Sequence, residues 1–88
     1  DLVRWLGDRK EWNDLVGQIS VWKDGNLVLV PRSGDERFIF GTPTDIEAKF
    51  GRIRQYYESV APTQEKPYQI VDVRFGGQIV CRKENKKH

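Results

Sequence analysis

Ile46, Phe50, Ile53, Tyr57 and Val60 follow one another at steps of four, three, four and three. That spacing is the period of an α-helix and puts all five side chains on one face. It predicts a helix over 43–60, roughly 27 Å long at about 1.5 Å per residue. Its apolar stripe should turn inward, and Glu47, Lys49, Arg52, Arg54 and Glu58 should turn to water. Pro43 suits the first turn with Thr42 as N-cap; alternatively Thr44 caps and Glu47 completes a capping box. Gly51 costs this helix about 1 kcal/mol relative to alanine, and is expected to allow a close approach to a sheet. Such a helix needs an apolar surface to cover, and the flanking segments must supply it.

On both sides the hydrophobic period changes to two, the period of a strand. Gln18 to Lys23 alternates, with Ile19 and Val21 on one face and Ser20 and Trp22 on the other. Asp24-Gly25-Asn26 reads as a hairpin turn. Leu27 to Val30 is an apolar run that Pro31 ends, since proline cannot donate to a ladder. Ser33-Gly34-Asp35 makes a second turn, and Arg37 to Phe40 a third strand closed by Gly41. After the long helix comes a polar loop over 61–67. Tyr68 to Phe75 then alternates, with Val71, Val73 and Phe75 on one face and Tyr68, Ile70, Asp72 and Arg74 on the other. Gly76-Gly77 reads as a two-residue hairpin turn, and Gln78 to Lys83 as the last strand. Residues 1–16 read as helix in two pieces parted near Gly7. Leu2, Trp5 and Leu6 share a face, Asp8 with Glu11 can form a capping box, and Trp12, Leu15 and Val16 continue the stripe. The order αβββαββ predicts an α+β domain: a mostly antiparallel sheet of about five strands with helices packed on one face.

With 88 residues, 1–88 is expected to be a single domain. A domain this small buries only about 60–65% of its unfolded surface, so the three Trp, three Tyr and four Phe are needed for its core. The formal net charge of +2 lacks the basic excess of a nucleic-acid binder. Much of the basicity sits in 82–88, which reads as a solvated terminus. No apolar run approaches the length of a membrane span. A chain that starts at Asp1 and holds no methionine reads as part of a longer protein; the part itself is expected to be a monomer.

Material for an active site is poor. The sole histidine is His88 at the terminus, and Cys81 has no histidine partner to activate it. One cysteine and one histidine give no metal-ligand spacing, and Gly76-Gly77 lies between strands rather than ahead of a helix. No catalytic residue, cofactor or metal is therefore expected. Trp22-Lys23 and Arg37-Phe38 pair aromatic with basic residues, as single-strand nucleic-acid platforms do, but read better as packed aromatics with charged neighbours. Asp72 and Arg74 have two readings: an exposed same-side ion pair of little worth, or a polar recognition face beside an open sheet edge.

Several short motifs recur in a familiar order. These are Leu29-Val30-Pro31-Arg32-x-Gly34, Ile39-Phe40-Gly41, Lys49-Phe50, Tyr68 through Val73-Arg74-Phe75, and Gly77-Gln78-Ile79-Val80-Cys81, with Trp12 and Gln18-Ile19 upstream. Together they resemble the extracytoplasmic β domain of the FtsQ/DivIB cell-division family, in its Bacteroides-type form. The resemblance covers nearly the whole chain. It implies a protein without enzymatic activity, anchored in full length by one membrane helix on the periplasmic side of the inner membrane, with a POTRA domain before this one. Neither upstream part is present in the 88 residues. The resemblance also implies partners: FtsB-type and FtsL-type division proteins, the former adding a strand to the last β-strand. The matching positions here are Arg74 and Phe75, then Gln78, Ile79, Val80, Cys81, Arg82 and Lys83. The alternative is an extracytoplasmic domain that binds a ligand in a pocket between helix and sheet. On the first reading Gln78 to Lys83 is an edge strand paired only with Tyr68 to Phe75, and an outward N–H is sought at Val80 or Gln78.

Overall fold

The computed structural model describes residues 2–65 and 68–83. Expectations for Pro67 and for the tail beyond Lys83 lie outside the described residues. Two short helices, α1 (Leu2–Gly7) and α2 (Lys10–Leu15), lead into the strands β1 (Val16–Val21), β2 (Leu27–Pro31) and β3 (Arg37–Gly41). Helix α3 (Ile46–Gln55) continues through a π turn, Tyr56–Val60, and a 3-10 turn, Ala61–Thr63. The chain then returns for β4 (Ile70–Asp72) and β5 (Val80–Arg82). The strands lie in the order β1-β2-β3-β4-β5. Neighbours are antiparallel except β3 and β4, which run parallel because α3 carries the chain back across the sheet between them. The expected α+β architecture and element order are those observed.

One sheet face supplies Leu29, Phe38, Phe40, Val71 and Val73 to the core, and the helices close over it with Leu2, Leu6, Trp12, Phe50, Ile53 and Tyr56. Phe50 is the hub. Trp5 stacks on it at 4.5 Å, and Trp12 and Phe40 tilt against it at 4.7 and 5.3 Å.

The helical stripe is rotated from its predicted line. Phe50 and Ile53 are buried as expected, but Tyr56, not Tyr57, completes the innermost row; Ile46, Tyr57 and Val60 are half-buried. The reason is polar: Tyr56 finds an interior partner for its hydroxyl in Glu36. Lys49, expected in water, is buried as well. Neither Thr42 nor Thr44 caps α3. Their hydroxyls bond each other at 2.7 Å, Pro43 stays outside the helix, and the N-cap position falls to Asp45. Asp45 has left-handed backbone angles (φ 51°) rather than the extended ones of a side-chain cap, and makes none. The Asp8–Glu11 capping box is also absent: Arg9 precedes α2 without a side-chain cap, and Glu11 pairs with Arg54 instead. Val16 leaves the helical stripe to open β1. Gly51 faces solvent with open space where a Cβ would stand, so no close approach depends on it.

The last two strands are shorter than predicted, and residues 73–79 connect them in place of a two-residue turn. The cause lies at Asp72, whose carboxylate takes the Arg74 backbone N–H at 3.1 Å and turns the chain away from β5. Val73 keeps its bond to Ile39 O. Phe75 therefore stands beyond the strand, 49% exposed, and not on the inner face with Val71 and Val73. Val21, at the end of β1, is likewise exposed.

Candidate protein-binding edge

The direction of the hydrogen bonds on β5 follows from those on β4. Arg37 N donates to Gln69 O, and Val73 N donates to Ile39 O, so Val71 between them bonds to β3; Gln69 N, just ahead of β4, turns instead to Arg82 O at 3.1 Å. Even-numbered Ile70 and Asp72 must then bond toward β5, where they stand opposite Arg82 and Val80. Val80 and Arg82 thus spend their backbone groups inward. Cys81 points its N–H and C=O outward, away from the sheet. The outward group expected at Val80 or Gln78 is accordingly at Cys81; Gln78 lies in the connection, not in the strand.

Side chains alternate about this edge. Cys81 and Ile79 pack partly against the helix-side core, and burial pushes the Cys81 thiol up from its ordinary pKa. Val80 and Arg82 lie on the other face with Asp72 and Ile70, their partners in register. Val80, Arg82, Phe75 and Gln78 are exposed, and Lys83 holds its Nζ 5.4 Å from the Tyr68 ring centre.

Asp72 is not the exposed residue that alternation suggested; it is 6% exposed. Burial raises its pKa, but hydrogen bonds and charge from Arg74, with a contribution from Arg82, outweigh this and hold it below the usual carboxylate value. Arg74 grips it with two arms, Nε to Oδ1 at 2.9 Å and a terminal nitrogen to Oδ2 at 2.7 Å. The guanidinium carbon also sits 5.0 Å from the Phe75 ring centre. Arg74 and Phe75 are thereby held together just past the end of β4.

The Arg74 stem crosses Gly41, which has φ 83°; a Cβ there would come within 3.1 Å of Arg74 Cγ. Gly41→Ala is expected to cost about 1–2 kcal/mol from backbone handedness alone, and to dislodge Arg74 from Asp72. Urea melts check the first effect, and the Arg74 Nε–H resonance checks the second. A variant with parental stability and an unmoved resonance would show that Gly41 is not needed.

Two cations on α3 brace the same corner, and sequence reading did not single them out as site residues. Arg52 Nε donates to Val73 O at 2.8 Å. Lys49 Nζ donates to Thr42 O at 2.9 Å, with the Phe40 ring centre 5.0 Å away. Burial lowers the Lys49 pKa, Asp45 opposes this, and Arg52 and Arg74 add to the lowering. A signal existed: Lys49 stands four before Ile53 and seven before Tyr56, on the same helical row.

Between α3 and the sheet the space is filled by Phe38, Phe40, Phe50, Ile53 and Tyr56, each at most 1% exposed. A cleft of about 480 Å³ opens beside β5, lined by Arg52, Gln55, Val60, Gly77, Gln78 and Ile79, with Arg52 its one charged group among the described residues. Among the described residues no three His, Cys, Asp or Glu side chains converge.

The fold is thus α+β, and among the described residues no strand lies on the outer side of β5. The sequence model described as "FtsQ/DivIB, C-terminal related" matches residues 1–82. The chain belongs to that family, a cell-division family of non-enzymatic scaffolds. No curated protein and no solved structure matches the chain.

Proposed function

We propose that this domain is a non-enzymatic scaffold of the divisome. It binds FtsB-type and FtsL-type division proteins during septum formation, on the periplasmic side of the inner membrane, as part of a longer single-pass protein. An extended segment of the FtsB-type partner adds to the outer side of β5, with Arg74, Phe75 and Gln78 to Lys83 as the contact set. The observation that carries this reading is the outward N–H and C=O of Cys81 on a strand that, among the described residues, has no neighbour on that side. An incoming strand satisfies both groups. Exposed Val80 and Phe75 offer apolar contact, while Arg82 and Lys83 discourage casual self-pairing.

Two prolines, one residue apart, test it. Cys81→Pro removes an outward N–H, so the domain should stay folded while affinity for an FtsB-type protein falls by more than about tenfold. Val80→Pro removes a bond to β4 and should destabilise the domain itself. Cys81→Ala controls for the packed thiol and should bind nearly as the parent does. Calorimetry showing parental affinity in folded Cys81→Pro would overturn strand addition.

A further inference from the structure

The sheet has a second face, formed by the residues that alternate away from the helices. Phe38, Val71 and Cys81 pack on the helix side, so Arg37, Ile70 and Arg82 stand on the far side, in register with one another across β3, β4 and β5. The neighbouring row holds Val28, Ile39, Asp72 and Val80. Val28 and Ile39 are buried without belonging to the helix-side core. Val30 and Ile70 are half-buried, and Val80 is 39% exposed. This face is therefore apolar along its middle, while the buried apolar side chains of α1, α2 and α3 all belong to the opposite core.

Its charge is one-sided. Asp72 is the only acid among the described strand residues of this face, and Arg74 already holds it at 2.7 and 2.9 Å. Arg37 and Arg82 are both exposed. Arg37 donates to the carbonyls of Asp35 and Glu36 and to no carboxylate among the described residues. Arg82 makes no ion pair among them and exerts only a weaker pull on Asp72. Two guanidiniums without a counter-charge of their own thus flank Ile70. They stand two strands apart, roughly 9.5 Å at about 4.8 Å per strand. A helix returns to the same face after seven residues, about 10.5 Å along its axis, with an apolar position midway. An extended segment puts same-side residues about 7 or 13 Å apart and matches less well. We propose that this face docks an acidic amphipathic helix of a protein partner, with carboxylates seven residues apart on Arg37 and Arg82 and an apolar side chain on Ile70 between them. Exposed ion pairs contribute little singly, so contact with Val30, Ile70 and Val80 supplies most of the affinity and the arginines select the partner. The helix would give the sheet a third layer. Arg82 borders the β5 edge as well, whereas Arg37 belongs to this face alone, and the docking is independent of strand addition to β5.

The probe is a stapled helical peptide that carries two glutamates seven residues apart with a leucine midway on the same face. Fluorescence anisotropy at low salt should give a dissociation constant below about 1 mM, rising with added salt. Arg37→Glu turns attraction into repulsion at an exposed site; the variant should fold as the parent does and bind the peptide at least about tenfold more weakly. A peptide with lysines in place of the glutamates should not bind. In spectra of the parent, the methyl signals of Val30 and Ile70 should shift on titration while those of Leu29 and Ile53, on the helix side, hold. Cys81→Pro should bind the peptide as the parent does, which separates this face from the β5 edge. No binding at millimolar peptide, equal binding by Arg37→Glu or by the lysine peptide, shifts confined to the helix side, or loss of binding in folded Cys81→Pro would each overturn the proposal. So would binding to phosphatidylglycerol vesicles in place of the peptide, which would mark the face as a membrane contact.

Discussion

Phe50→Ala is expected to lower the unfolding free energy by about 3–5 kcal/mol, which rivals the whole stability of a domain this size at about 4–13 kcal/mol. The ring is 1% exposed and is the point where three elements meet. Trp5 from α1 lies flat on it, 8° from parallel, Trp12 from α2 tilts against it, and Phe40 from β3 supports it from below. Removing it deletes buried apolar area and leaves a void that two indoles cannot fill without abandoning their other contacts. The loss should spread beyond α3: the near-ultraviolet dichroism of the stacked indole should collapse, because Trp5 loses the ring on which it lies. Phe50→Leu, which keeps much of the volume, should cost clearly less. Urea melts of both variants decide the matter. A Phe50→Ala loss below about 1 kcal/mol, as for an ordinary surface site, would show that the ring is not the hub.

The sequence yielded the architecture because its signals there are redundant. Helix α3 announces itself in the spacing of Phe50 and Ile53, and the β1–β2 hairpin in Asp24-Gly25-Asn26, where Asp24 Oδ1 takes the Asn26 N–H at 3.0 Å. Details settled by one polar bond stayed hidden. Nothing in the alternation of 68–75 says that Asp72 will take the Arg74 N–H and end β4 early. The same bond moves Phe75 out of the core row and lengthens the connection that Gly76-Gly77 seemed to close. Apolar spacing likewise draws the stripe of α3 through Tyr57, because a hydroxyl that needs Glu36 leaves no trace in it. The candidate edge was legible as the last stretch of strand pattern, Gln78 to Lys83. Its outward residue was not, since one-residue shifts in strand boundaries exchange the two sides of the ladder.

The second large effect belongs to that buried tyrosine, and it appears in alkali. Tyr56 is wholly buried; its hydroxyl donates to Glu36 Oε2 at 3.2 Å and accepts the Tyr68 N–H at 3.3 Å. Glu36 is itself 5% exposed, and among the described residues no cation pairs with it. Burial, and then the charge of Glu36, push the Tyr56 phenol from the ordinary 10.0 up to about 12, while the Tyr68 N–H pulls the other way. The folded state therefore favours the neutral phenol. Its contribution is complete below pH 10 and is lost as the pH rises through about 12. Two pKa units correspond to about 3 kcal/mol. Tyr57 is raised as well, by burial, Glu36 and Tyr56, and acts in the same sense. Lys49 acts oppositely: its pKa is lowered from 10.5 on folding, so the stability it withholds in the charged state is regained as the pH climbs toward that value. Comparing parent with Tyr56→Phe at each pH removes the Lys49 contribution. At neutral pH the variant should be less stable by about 1–3 kcal/mol, because Glu36 and the Tyr68 N–H each lose a partner. Above pH 10 the parent should fall faster, and the two stability curves should converge toward pH 12. Parallel curves through the alkaline range would mean that Tyr56 ionises as readily in the folded domain as in the unfolded chain, and the buried Glu36–Tyr56 bond would have to be abandoned.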